Sequence, residues 1–332
     1  MATLAVTQRL FTELTTRPAH HWPATGPSYG RQFRQHCQTI ARLHFERLTT
    51  GVNCTLLSLY LLFIMLSSQP STMKALKRTT FLMATVLNKV LIVGSAPDAV
   101  RTAEWDTSCF TDIIVINNAW KACPSWNCLI YPEDFPQGRR PSAGDLFGKR
   151  VVTAEQFVPV QNEFGGFVYA GGTMSFTAGY WALGALKPDV LAYIGCDMVY
   201  DAKPGQSTHF YGAGTADPLR SDVTLQSLEA KSLRLQALAS RQGCAVVNLS
   251  ALESSRLCFP RLAFEDLALM NQSPSHETQH ASFVETALRF EADVGYWVES
   301  GRYWEEHDRF DRQTLRDIDA LWLATAPELA FA

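Results

Sequence analysis

Residues 87–97, LNKVLIVGSAP, decide the fold. Asn88 and Lys89 lead into four consecutive apolar residues, Val90 to Val93, and Gly94, Ser95, Ala96 and Pro97 end the run at once. A short β-branched run stopped by glycine and small residues reads as a buried parallel strand delivered to a tight turn at its carboxyl end. In open α/β sheets that end is where ligands bind.

The same rhythm continues downstream. Further strands are predicted over 112–116, 128–131, 151–153, 190–194 and 245–249, and helices over 98–105, 173–186 and 219–242. Pro, Gly and Arg make 136–149 a loop. Mostly apolar strands alternating with helices imply an α/β fold, a doubly wound, mostly parallel Rossmann-like sheet with crossover connections. From about Ser282 the chain turns helical and aromatic, with Phe290, Trp297, Tyr303 and Trp304, and ends in an amphipathic run over 315–323. The expected division is an N-terminal extension over 1–82, a nucleotide-sugar-binding domain over 83–262 and a helical C-terminal extension over 263–332. In the extension the C-terminal helices either form a lid over the acceptor or simply cover the sheet.

Residues 1–53 are basic, with Arg9, Arg17, Arg31 and Arg34 among them, and show no sustained period. The apolar stretch over 54–68, CTLLSLYLLFIMLSS, is shorter than a spanning helix requires. It suits a signal anchor or signal-peptide core but lacks a convincing cleavage site. Met83 stands just before the first strand, so residues 1–82 are read as poorly ordered or non-native.

A net charge of −3 offers no global attraction to nucleic acid or to an anionic membrane, so an anionic substrate must be held by a local site. The eight cysteines are scattered without a C-x-x-C pair, the usage of reduced, mostly buried thiols in a reducing compartment.

Four strand ends are expected on one rim: 94–97, Asn117 with Asn118, 131–134, and 197–201. Small residues at Gly94, Ser95 and Ala96 would let backbone amides approach a phosphate or sugar. Asn117 and Asn118 could bind a base or ribose, or form an ordinary Asx turn. Gly171, Gly172, Thr173 and Ser175 open a helix, as an anion site or a plain cap. The richest stretch, 194–219, carries Asp197, Tyr200, Asp201, His209, Tyr211 and Asp217 in a glycine-shaped loop. His209 is the histidine best placed to act as acid, base or phosphate contact. Asp197 and Asp201 could chelate a divalent cation, although such pairs are common on solvated surfaces.

In order and spacing, these motifs resemble those of the bacterial sialyltransferases of glycosyltransferase family 42, across about residues 88–250. VLIVGSAP resembles the family's opening strand and turn, Asn118 its asparagine after the second strand, and 131–135 its aromatic turn after the third. GGTMSFTAGYWALG resembles its small-residue helix start, 195–200 its glycine-x-aspartate-x-tyrosine strand end, and 208–212 its serine-histidine-tyrosine segment. The related domain-of-unknown-function 115 and 6-hydroxymethylpterin diphosphokinase-like superfamily opens its sheet similarly.

The resemblance implies a metal-independent transferase using a CMP-activated sugar, with no separate cofactor. It puts Ser95 and Ala96 beside the donor, Asn118, Gly172 and Thr173 on nucleotide or sugar, and Tyr200 near the phosphate. The chain departs from the family at Ser95, where the family has asparagine, and in the third turn, where Pro132 or Glu133 stands for another. It departs again at Ala213, where the family's catalytic histidine would fall. The base would then be His209, Asp201 or Asp217.

The expected function is sugar transfer from a nucleotide donor to a saccharide or lipid-linked acceptor in surface-polysaccharide or lipopolysaccharide assembly. The expected setting is cytoplasmic, with contact at the inner face of the membrane and self-association left open and no nucleic-acid partner. The alternatives are an ATP-dependent pyrophosphokinase and an inactive nucleotide-sugar-binding protein.

Overall fold

A computed structural model describes residues 87–200, 207–212, 222–272 and 280–326, all within the unit Thr85–Ala332. The apolar segment 54–68 and the candidate residues Asp201 and Asp217 lie outside the described residues.

Six strands form one sheet: β1 (Lys89–Val93), β2 (Asp112–Ile116), β3 (Cys128–Ile130), β4 (Arg150–Val152), β5 (Val190–Ile194) and β6 (Ala245–Asn248). Their order is β4-β3-β2-β1-β5-β6, and every pairing is parallel. The chain runs outward from β1 to β4, then returns to lay β5 on the other side of β1. That reversal is the topological switch point of a Rossmann-like α/β fold.

Both faces of the sheet are buried, which is why the strands read as unbroken apolar runs. Val90 and Ile92 of β1 join a core with Phe157, Phe176 and Leu235 on one side. Leu91 and Val93, pointing the other way, pack with Ala99, Trp126 and Phe264. The period of two along a strand divides a single apolar run between two cores.

The helices are α1 (Ala154–Asn162), α2 (Phe167–Ala170), α3 (Met174–Ala185), α4 (Leu228–Arg241), α5 (Phe264–Leu269), α6 (Ala281–Val294) and α7 (Arg312–Leu323). The predicted short helix after β1 is a 3-10 helix, Pro97–Glu104, with proline in its first turn. The sequence pattern did not mark α1, α2 or α5. Pro159 sits inside α1, removing one backbone donor, and Gly165 and Gly166 interrupt the run before α2. What starts α1 is local: Thr153 donates its backbone N–H to Gln156 Oε1 at 2.8 Å, the return half of a capping box. Thr153 is therefore a cap rather than the end of β4.

The predicted 219–242 helix begins later, at Leu228. Ser227 Oγ accepts from the Ala230 N–H at 3.1 Å and caps it, while Val223–Leu225 forms a separate 3-10 turn started by Asp222.

The C-terminal helices cover the face that carries Ile92, with Val284, Leu315 and Trp322 in its core. Two buried ion pairs fasten them to α4. Lys231 Nζ meets Asp319 Oδ1 at 2.7 Å. Arg234 donates to both carboxylate oxygens of Glu291, at 2.8 and 2.7 Å, and to the Tyr180 hydroxyl at 2.8 Å. Trp322 Nε1 adds a third bond to Glu291, at 2.7 Å. Charges this deep are tolerable because each is paired and hydrogen-bonded.

Candidate functional site

The turns after β1 and β5 touch backbone to backbone. A methyl group at Gly94 would lie 2.2 Å from the Gly195 carbonyl oxygen, and Gly195 itself has φ +68°. Gly94 N–H donates to Ile194 O, and Ala96 N–H to Gly195 O, both at 2.8 Å. The switch point is thus closed by its own hydrogen bonds, and these two amides serve the fold. Ser95 faces the next layer instead, its carbonyl accepting from Phe210 N–H at 3.0 Å.

That bond seats the 209–212 turn over the rim. His209 is 9% exposed, its Nδ1 2.8 Å from Thr208 Oγ1. If Nδ1–H donates to the threonine, Nε2 carries the lone pair, the state a base needs. The imidazole lies between two tyrosines, 5.2 Å from the Tyr211 ring and 6.2 Å from Tyr200. At the end of β5, Met198 has φ +54°, a conformation that costs a side-chain-bearing residue about 1–3 kcal/mol and tends to cluster at functional sites.

Tyr211 reaches across to the end of β2. With Asn118, Lys121 and Arg139 it lines an open hollow of about 150 Å³. Asn117 takes the left-handed conformation (φ +51°) that asparagine tolerates, which starts the 3-10 turn Asn117–Lys121. Asn118 follows it inward, 7% exposed, and its Oδ1 has no hydrogen-bond partner among the described residues. The opposite wall is held in place by Trp120, whose indole N–H donates to Arg139 O at 3.1 Å. Arg140 braces the same loop, donating to Phe135 O at 2.8 and 3.2 Å with its guanidinium over the Tyr131 ring.

Lys121 and Arg139 were not singled out from the sequence. The available signal was weak: a cation five residues after a strand end, and an arginine pair in a loop.

The helix start at Gly172 and Thr173 adjoins the segment after β5, Thr173 Oγ1 lying 3.9 Å from Met198 Sδ. Thr173 caps α3, accepting from Phe176 N–H at 3.4 Å. Gly172 donates its N–H to Thr224 Oγ1 at 3.1 Å and is overlaid by Tyr303, whose hydroxyl would lie 1.8 Å from an added methyl group. Tyr303 in turn donates to Asp222 Oδ2 at 2.5 Å. The segment after α6 therefore crosses from this helix start toward the β3 loop, where Arg302 pairs with Glu133 at 3.2 Å. The C-terminal part covers the sheet and also reaches the rim.

Asp197 turns toward the loop after β6 rather than toward the hollow. It is 1% exposed, and neither carboxylate oxygen makes a hydrogen bond within 3.5 Å. Burial raises its pKa above the ordinary 3.8, while the nearby Ser250 and Ser255 hydroxyls lower it less strongly, Asp98 adds to the rise and Arg261 opposes it. Cys128, Cys196 and Cys244 are free thiols that burial pushes to about 12, so they are inert at neutral pH.

The fold and rim define an α/β protein whose switch point is closed by its own hydrogen bonds, with a polar hollow on the same rim. No family model, curated protein or solved structure matches the chain. Among the described residues, no helix is long and apolar enough to cross a membrane.

Proposed function

We propose that the protein is a nucleotide-sugar-dependent glycosyltransferase. The observation that carries this reading is the position of His209. Its turn hydrogen-bonds to Ser95 beside the switch point, and its neighbour Tyr211 lines the hollow with Asn118. A base between two adjoining sites is what sugar transfer needs.

The donor, with a CMP-activated sugar favoured by the motif resemblance, lies beside Ser95 with Thr173 and Tyr200 nearby. The acceptor is a saccharide or lipid-linked saccharide of surface-polysaccharide assembly. His209 Nε2 takes the proton of the acceptor hydroxyl, whose oxygen forms the new bond to the anomeric carbon. The bond from that carbon to the phosphate oxygen breaks, and the nucleotide leaves with the electron pair. The Tyr200 hydroxyl can donate to the charge that develops there.

Transfer or donor hydrolysis measured with CMP-, UDP- and GDP-sugars tests this. At least one donor should turn over, and His209→Ala should lower its rate by about 10²–10⁴. No turnover of any donor, or an unchanged rate in the variant, rejects the reading.

The alternative reading, an ATP-dependent pyrophosphokinase, needs carboxylates for magnesium; of its two candidates Asp197 is buried away from the hollow and Asp201 lies outside the described residues. ATP consumption abolished by a chelator favours it, and activity that survives the chelator removes it.

A further inference from the structure

The hollow beside Tyr211 has a chemistry that sugar transfer alone does not explain. Its walls carry two cations, Lys121 and Arg139, in a chain whose net charge is −3. Neither cation is paired with a carboxylate among the described residues. Nearby cations are used differently. Arg140 is consumed by the Phe135 carbonyl and the Tyr131 ring, and Lys149 sits 3.6 Å from the centroid of the Trp126 ring. Lys121 lies over Trp120 at 5.3 Å, and Trp120 also fixes the Arg139 backbone, so one indole organises both charges.

Asn118 supplies an independent observation. Its Oδ1 is buried and unpartnered among the described residues, and Asn118 is one of the residues that line the hollow. A buried acceptor left without a donor costs about 1–3 kcal/mol, which a ligand hydroxyl would offset. The neutral acceptor, two cations and the Tyr211 hydroxyl together match a group with an oxyanion and a neighbouring O–H. The hollow lies after β2 and β3, to one side of the β1–β5 switch point where the nucleotide is expected.

We propose that Asn118, Lys121, Arg139 and Tyr211 form a subsite for the oxyanion of an acidic saccharide, a sugar phosphate or a sugar carboxylate. Arg139 offers a planar fork suited to two oxygens, and Lys121 a compact charge. Asn118 Oδ1 accepts from an adjacent sugar hydroxyl. Naming this saccharide as the acceptor rests on the glycosyltransferase reading; the binding of the anion does not.

Isothermal titration of the full chain with inorganic phosphate and with glucuronate tests the subsite. The unaltered chain should bind at least one of them, more weakly as salt rises. Lys121→Ala and Arg139→Ala should each weaken binding about tenfold, and the double variant should abolish it. Lys149→Ala, remote in its ring contact, should leave binding unchanged. A preference for phosphate identifies a phosphorylated sugar, and a preference for glucuronate a carboxylated one. Absence of binding to both anions, equal binding by the double variant, or displacement of the anion by CMP overturns the proposal. Anion binding without transfer from any donor would reject only the glycosyltransferase reading, and transfer without anion binding would reject only the subsite.

Discussion

Asp197 is a carboxylate whose carbonyl is used, accepting from Arg256 N–H at 2.9 Å, while its side chain is held in a poorly solvated spot under the β6 loop. Its raised pKa is therefore a statement about stability. Between 3.8 and the higher folded value, the native state binds more protons than the unfolded chain, so stability falls as pH rises through that window. The destabilisation is complete above the folded pKa and is relieved in acid. Asp197→Asn removes the buried charge and keeps the shape. The variant should be more stable than the parent at pH 7, and the difference should shrink as the pH falls into acid. Urea unfolding followed at pH 7 and in acid measures this; a less stable variant at pH 7 would mean that the carboxylate is held by a bond stronger than its desolvation. The sequence made Asp197 a candidate because it ends a strand, and no local pattern tells which way such a side chain turns.

The contact of α4 with α6 and α7 depends on a few charged side chains inside an apolar interface. Glu291 accepts two bonds from Arg234 and one from Trp322, all at or below 2.8 Å. Removing it strands a buried guanidinium, so Glu291→Ala should cost about 3–5 kcal/mol, read as a lowered urea midpoint with unchanged slope. Arg241→Ala provides the contrast. Its pair with Glu285 is half exposed, and its loss should shift the midpoint by less than about 1 kcal/mol. Of the helices, α4, α6 and α7 were legible from their pattern and α3 from its apolar run, whereas α1 with its internal proline, the four-residue α2 and the six-residue α5 were not marked. Their late or early starts follow from Ser227 and Thr153, short-range caps that the wider apolar pattern does not reveal.

At the scale of the molecule, the C-terminal helices complete the core. Ending the chain after Met270 would leave Lys231 and Arg234 buried without Asp319 and Glu291, and would uncover the core around Phe157 and Leu235. Two uncompensated buried charges cost several kcal/mol each, against a total stability of about 5–15 kcal/mol for an ordinary domain. The shortened chain should therefore show no cooperative unfolding transition by circular dichroism. A sharp transition would mean that the sheet and α1 to α5 fold without this cover.

The sequence by itself determined the six strands, their polarity and the small-residue turn at Gly94, because strand period, apolar runs and glycine stops are local properties written residue by residue. It also marked His209 as the group to watch, from its place in a long loop after a strand. The tertiary structure alone decided which strand ends meet. It engaged the Gly94 and Ala96 amides with β5, turned Asp197 under the β6 loop, and brought Tyr211 to Asn118, Lys121 and Arg139. Those meetings join residues from opposite ends of the sheet's winding, and chain reversal, burial and hydrogen-bond closure set them rather than any spacing along the chain.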